Sequence, residues 1–107
     1  MTQAANLAGT GICRAWVNFV GATGTITSSF NVASVTRTAA GLYTITFTTA
    51  MPNANYVVCG MVQSSGVGNW ITALNTTNPT TTSFYTLVGN GAALADSPIT
   101  SYVVFSV

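Results

Sequence analysis

The sequence is almost free of charged side chains, and it contains no lysine, glutamate or histidine. Charged residues make up 3% of the chain, whereas about 25% is usual for a soluble domain. The three that are present are Arg14, Arg37 and Asp96. Area scaling predicts about 5,600 Å² of accessible surface for a compact monomer of this mass. Because so little charge is available to cover that surface, we expect the chain to associate with further copies or with other proteins.

The same shortage removes most of the groups that enzymes use. Glycoside hydrolysis by the usual route needs two carboxylates, and Asp96 is alone. A serine or threonine nucleophile needs a base, and neither His nor Lys is present. We expect Asp96 to cap a turn rather than to bind Ca²⁺. The sequence therefore predicts no enzymatic activity, no catalytic residue, no metal site and no cofactor.

Several partner classes and a targeting signal are also missing. Two separated arginines do not form the basic stripe that nucleic acids require. The longest apolar runs, such as YVVCGMV at 56–62, are far shorter than the ~20 residues that span a bilayer. The beginning, MTQAANLAGTGICR, lacks the layout of a secretory signal. We therefore expect no nucleic-acid or membrane partner and synthesis in the cytoplasm. Under those conditions Cys13 and Cys59 are expected to be small buried hydrophobic residues, with a disulfide between them as the alternative.

What is present is a series of short strands separated by turn residues. In the stretch YTITF, Tyr43, Ile45 and Phe47 alternate with threonines, as in a strand with one buried face. Strands are predicted at 13–19, 30–36, 43–49, 55–62, 70–74, 83–88 and 101–107, and GATGTITSS (21–29) is predicted to be a loop. About seven evenly spaced strands indicate a small antiparallel β-sandwich of jelly-roll type over 12–107, preceded by an arm at 1–11.

Several strands carry apolar residues on both faces, although a thin sandwich of two sheets buries only one face of each sheet. We therefore predict a subunit interface, in a ring or a trimer, formed by Trp16, Tyr85, Leu87, Tyr102 and Val104. The alternative is that these are scattered apolar residues of an ordinary surface.

One loop region offers polar and aromatic groups suited to a neutral ligand. Around SSGVGNWITALNTTN, Trp70 offers an aromatic face, and Gln63, Asn69, Asn75 and Asn78 offer amide donors and acceptors. These five residues are the predicted glycan-binding site. The alternative is that Trp70 fills the end of the core.

Three segments in order carry a resemblance to a known family: AWVNF (15–19), SFNVASVT (29–36) and GLYTITFTTAMPNANYVV (41–58). Together they resemble the C-terminal tip domain of bacteriophage tail-fibre and related virion appendage proteins, and the ending SYVVFSV is similar to the family's last strand. The resemblance implies a trimeric β-sandwich in the virion, in contact with fibre shaft, tail or capsid proteins and with host-surface glycans.

The chain departs from that family at two points. The turn TRTAAGLY carries Arg37 where the family has an acidic or Asn/Gly-rich turn, and the chain begins almost at the tip domain. Attachment through residues 1–12 or through another surface is therefore expected. The sequence favours a tail-fibre tip protein that mediates host attachment. The alternatives are a capsid decoration, spike or tail subunit without receptor contact and, from the threonines of TITFTT, an ice-binding surface.

Overall fold

The computed structural model describes residues 11–64, 66, 68–91 and 93–106. Within them the chain forms eight β-strands and no helix: β1 (Ile12–Val20), β2 (Thr25–Phe30), β3 (Val32–Ala39), β4 (Leu42–Phe47), β5 (Val57–Val62), β6 (Ile71–Leu74), β7 (Ser83–Gly89) and β8 (Thr100–Ser106). Two four-stranded antiparallel sheets result, sheet A with the order β2-β1-β8-β5 and sheet B with the order β3-β4-β7-β6. The prediction of a small all-β domain of antiparallel strands is confirmed. Of the predicted arm, residues 1–10 lie outside the described part.

The core lies between the two sheets and is built from alternate residues of their strands. Tyr43, Ile45 and Phe47 of β4 are buried, as their alternation with threonine predicts. Aromatic rings join the sheets, since Phe84 of β7 meets Tyr102 of β8 edge to face with ring centroids 5.8 Å apart. The buried apolar cluster comprises Ala15, Val17, Phe19, Val32, Tyr43, Ile45, Phe47, Met51, Tyr56, Phe84, Val88, Tyr102 and Val104.

Strand β2 lies where the sequence predicts a loop, so that prediction is wrong for Thr25–Phe30. The segment TITSSF offers only Ile26 to the core side, and its other residues are exposed, so alternation gives almost no signal there. Pairing with β1 supplies what the pattern lacks, because Phe30 lies opposite Trp16 and Ile26 opposite Phe19. The preceding turn closes with a hydrogen bond from the Gly24 amide to the Val20 carbonyl at 2.7 Å, with Gly24 at a φ of 76°.

The face assigned to β8 is also wrong. Tyr102 and Val104 were predicted to face a neighbouring subunit, and they are core residues with 4% and 1% of their surface exposed. Alternation does not choose between the faces of this strand because both carry apolar residues. Two of its inward-facing residues, Thr100 and Tyr102, make polar contacts near the beginning of the strand. The Tyr102 hydroxyl lies 2.5 Å from Thr72 Oγ1, and the buried Thr100 hydroxyl lies 2.8 Å from Ser97 Oγ.

Both interpretations of the cysteines are wrong as well. Cys13 and Cys59 are free thiols, and both are exposed. Cys13 leaves the inward face of β1 because the register with β8 shifts between Cys13 and Ala15, a β-bulge that turns the side chain outward. Cys59 lies on the edge strand β5, opposite Val103 of β8.

Asn31 forms the corner at which the chain passes from sheet A to sheet B. It adopts a φ of 56°, a left-handed conformation that asparagine tolerates better than most residues. Its Nδ2 donates to the carbonyls of Arg14 and Thr49, both at 3.1 Å, and its Oδ1 accepts from the Thr49 amide at 2.7 Å. One side chain thus ties β1, the corner and the segment after β4 together.

We expect Asn31→Gly to lower the free energy of unfolding by about 2–3 kcal/mol, because three hydrogen bonds at about 1 kcal/mol each are lost while glycine keeps the backbone conformation. Asn31→Ala should lose about 1 kcal/mol more, since alanine adds left-handed strain. Urea unfolding at a fixed protein concentration measures both. If Asn31→Gly is as stable as the parent, the side chain does not hold the corner.

Candidate functional site

The five predicted glycan-binding residues do not form one cluster. Gln63 follows β5, and Asn69 and Trp70 precede β6, so these three lie at one end of the sandwich. Asn75 and Asn78 follow β6 and lie toward the other end. Four strand residues separate the two groups, which corresponds to roughly 13 Å at 3.3 Å per residue. The prediction of a single site from all five residues is therefore not supported by their placement.

Trp70 is half-buried and packs against the core cluster. This placement matches the alternative interpretation, in which the indole ring fills the end of the core and does not present an exposed face to a sugar. The Asn75 side chain is also engaged locally, because its Oδ1 accepts a hydrogen bond from the Thr76 amide at 2.7 Å. Gln63 and Asn69 remain exposed at the β5–β6 end.

The predicted interface residues are distributed over three parts of the fold. Trp16 projects from the outer face of sheet A with 39% of its surface exposed. Tyr85 and Leu87 are half-buried on β7, with Leu87 between Leu42 and Ala73 in the sheet B register. Because Tyr102 and Val104 are in the core, only Trp16 belongs to a large exposed apolar surface.

That surface is the outer face of sheet A, called here the A face. Strand register brings its side chains into cross-strand rows, in which Phe30, Trp16, Val103 and Cys59 follow one another across β2, β1, β8 and β5. A second row runs through Ser28, Asn18, Ser101 and Met61, and a third joins Phe105 to Val57. The A face consists of Trp16, Asn18, Ser28, Phe30, Val57, Cys59, Met61, Ser101, Val103 and Phe105, and none of these residues is charged.

Large apolar side chains of the A face are open to solvent. Met61 exposes 76% of its surface, Val57 59% and Phe30 52%. A monomeric protein rarely leaves a contiguous apolar patch of this kind uncovered, so the A face is the candidate interaction site. Sequence reasoning found Trp16 and missed the others, because YVVCGMV is apolar at every position except Gly60 and does not show which residues face outward.

The A face ends at an edge strand that lacks charged residues and proline. β5 is the last strand of sheet A, and its sequence VVCGMV contains neither a charge nor a proline. On the neighbouring edge of sheet B, β6 exposes Ile71 and Leu74. At the opposite edge the strands are more polar: apart from Ile26 and Phe30, β2 consists of threonine and serine, and β3 carries Arg37. One side of the molecule is therefore much more suited to association than the other.

The one acidic side chain of the sequence is engaged within the chain. Arg37 Nη2 donates to Asp96 Oδ2 at 2.7 Å, and Arg37 Nε lies 3.0 Å from the same oxygen. The buried Gly41 amide donates to Asp96 Oδ1 at 2.9 Å. The Tyr43 hydroxyl lies 2.7 Å from Asp96 Oδ1 and 2.8 Å from the Gly21 carbonyl, and it shares its proton between them. Asp96 thus secures the β3–β4 turn, beyond the turn-capping role predicted for it.

These contacts shift the pKa values of Asp96 and Tyr43. Burial works to raise the pKa of the Asp96 carboxyl, but the hydrogen bonds from Arg37, Gly41 and Tyr43 together lower it below its ordinary value of 3.8. Burial and the hydrogen bond to Asp96 raise the pKa of the Tyr43 hydroxyl. Since Arg37 and Asp96 neutralise each other, Arg14 is the remaining charged side chain.

The described residues contain no group of three or more His, Cys, Asp or Glu side chains that could hold a metal ion. No helix in that part of the chain is long and apolar enough to cross a membrane. Comparison with protein-family models, with curated proteins and with solved structures gives no match. The candidate site is therefore interpreted from its own geometry, and the A face is the feature that stands out.

Proposed function

We propose that this chain is a structural protein of a bacteriophage virion that works as a homo-oligomer, a trimer of jelly-roll-like sandwiches at a tail-fibre tip or similar appendage. The resemblance of residues 15–19, 29–36 and 41–58 to phage tip domains supports the virion role. In the fold these segments cover the middle of β1, the β2–β3 corner, and the stretch from β4 into β5.

The observation that carries the self-association is the uncharged A face. Burying a side chain such as Met61 or Val57 against another copy stabilises the assembly by on the order of 1–2 kcal/mol each. No ionic group has to be desolvated in the process, because the face contains none. In a monomer the same side chains stay in water.

For attachment to host-surface glycans, the exposed Gln63 and Asn69 are the candidate contacts. They lie in the β5–β6 loop, and each copy in an oligomer would contribute one such loop. Weak single sites of this type gain affinity when several engage a glycan surface together. The second candidate is a capsid decoration, spike or tail subunit without receptor contact. The packing of Trp70 against the core supports it, because the loop then has no fully exposed aromatic ring on which a sugar could stack.

Gold-labelled antibodies against the purified chain test the proposal on phage particles viewed by electron microscopy. We expect label at appendage tips, and we expect the purified oligomer to reduce phage adsorption in competition. An Asn69→Ala/Gln63→Ala variant should lose that competition, with an Asn78→Ala variant as the matched control. Label on the capsid shell without competition favours the second candidate, and unlabelled virions contradict both.

A further inference from the structure

The end of the sandwich at which β1 begins carries an open groove with a volume of about 560 Å³. This size lies within the usual range of ligand sites. Its walls come from Ile12 and Arg14 of β1, from Phe30 at the end of β2, and from the segment Thr48 to Pro52 after β4. The groove is separate from the loop that carries Gln63 and Asn69, which lies at the opposite end of β5.

Arg14 gives this mostly apolar groove a positive charge that has no ionic partner among the described residues. It is half-buried, and its Nε atom is buried without a hydrogen-bond partner among the described residues. The guanidinium group makes no ion pair and no side-chain hydrogen bond among the described residues, and a carboxylate is the acceptor that best matches its planar set of N–H donors. The other arginine, Arg37, is already paired with Asp96.

The groove is held in shape before any ligand arrives. Asn31 fixes the Arg14 carbonyl on one wall and the Thr49 backbone on the other. Met51, on the same wall as Thr49, is anchored in the core with 4% of its surface exposed, and its amide donates to the Thr81 carbonyl at 2.8 Å. A site whose walls are fixed in this way loses little entropy when a ligand binds.

The missing acidic partner does not come from this chain's own side chains. Residues 1–10 read MTQAANLAGT and contain no acidic residue. A second copy offers Asp96 as its one acidic side chain, and that carboxylate is engaged by Arg37, Gly41 and Tyr43. Apolar walls such as Ile12, Phe30 and Met51 match apolar side chains better than sugar hydroxyls, which need polar partners.

We propose that this groove binds a peptide segment of another protein in which an aspartate or glutamate is flanked by apolar residues, with the carboxylate on Arg14. The inference rests on the proposed function, since in a virion the groove would attach this chain to a neighbouring protein. The groove and the exposed β5–β6 loop lie at opposite ends of the sandwich. One end attaches to the particle, and the other faces away from it.

A display library of random heptapeptides, selected on the full chain, tests this inference. We expect enrichment of peptides with one acidic residue between apolar residues. Changing that residue to its amide, or changing Arg14→Gln, should each weaken binding at least about tenfold, as for the loss of a charged hydrogen bond. In the double-mutant cycle the two changes should not add. Arg37→Gln is the matched control and should leave the affinity unchanged.

Several results would overturn the inference that the groove binds an acidic peptide through Arg14. Enriched peptides without an acidic residue, or an equal effect of Arg37→Gln, would show that Arg14 does not select the ligand. Arg14-dependent binding to glucuronate-bearing glycans in an array would assign the groove to acidic sugars. A gain of tenfold or more after deletion of residues 1–10 would show that the chain's own segment fills it. Because the virion labelling is independent of these readouts, failure of the groove and failure of the virion role are distinguishable.

Discussion

Replacing Asp96 by alanine is expected to lower the free energy of unfolding by about 3 kcal/mol and the melting temperature by roughly 12 °C. The largest part of this loss in stability comes from the buried Gly41 amide, because the Asp96 oxygen that accepts its hydrogen bond at 2.9 Å is removed. An unsatisfied buried donor costs about 1–3 kcal/mol. The exposed ion pair with Arg37 adds no more than about 1 kcal/mol. The Tyr43 hydroxyl keeps the Gly21 carbonyl as its acceptor, so its share is small.

Arg37→Gln is the control for this prediction. It removes the ion pair and leaves the contacts of Asp96 with Gly41 and Tyr43 in place, so it should cost about 1 kcal/mol or less. Differential scanning calorimetry at one protein concentration measures both variants, because association shifts the melting temperature. If the two variants lose the same stability, the ion pair and not the Gly41 contact holds the β3–β4 turn.

The pH dependence of stability follows from the same cluster. Since the folded pKa of Asp96 is below its ordinary value, its contribution is complete above the unfolded pKa of about 3.9 and is lost as the pH falls through the folded pKa. Burial raises the pKa of Tyr56 to about 12 and also raises that of Tyr102. Those contributions are complete below about pH 10 and are lost as the pH rises through the folded values.

With no glutamate or histidine in the sequence, we expect nearly constant stability from about pH 5 to about pH 8 and one acid-induced loss below about pH 4. Urea unfolding across this range measures the curve. The Asp96→Ala variant should lack the loss at low pH. A clear slope between pH 5 and pH 8, or an unchanged acid-induced loss in that variant, would contradict the assignment.

Placing a charge on the A face is expected to weaken self-association at least about 100-fold. Met61 is the residue to change, because 76% of its surface is exposed and Met61→Glu leaves the core untouched. In an assembly covered through this face, the new carboxylate would be buried without a partner, which costs several kcal/mol. Val57→Glu, with 59% exposure, should act in the same direction.

The matched control is Ser34→Glu, an exposed position on β3 of the opposite sheet. It changes the net charge of the chain by the same amount as Met61→Glu does, and it leaves the A face unchanged. Sedimentation over a concentration series should show the parent association constant for this control. If Ser34→Glu and Met61→Glu weaken association equally, net charge and not the A face governs it.

Alternation predicted the fold where one face of a strand is apolar and the other polar, and it failed where that contrast is missing. In β4, threonines between Tyr43, Ile45 and Phe47 identify both the strand and its inward face. In β8 both faces are apolar, so Tyr102 was assigned to the wrong side. In β2 the residues between Ile26 and Phe30 are polar on both faces, and pairing with β1 supplies what the pattern lacks.

The important parts of the site depend on contacts that no local pattern encodes. Arg37 and Asp96 are 59 residues apart in sequence, and nothing in their spacing predicts the pairing. Locating the A face requires the pairing of β5 with β8, which places Cys59 opposite Val103 and Met61 opposite Ser101. Composition predicted an interaction surface, because so few charges are available, but it did not indicate which sheet would carry it.

Sedimentation velocity of the purified chain at micromolar concentration tests the self-association most directly. We expect an oligomer, with a trimer as the species that the proposed function requires, and dissociation to monomers for Met61→Glu. The exposed thiol of Cys59 on the A face should be less reactive in the oligomer than in that variant. A parent protein that sediments as a monomer, with Trp16 and Met61 left in water, would contradict the account.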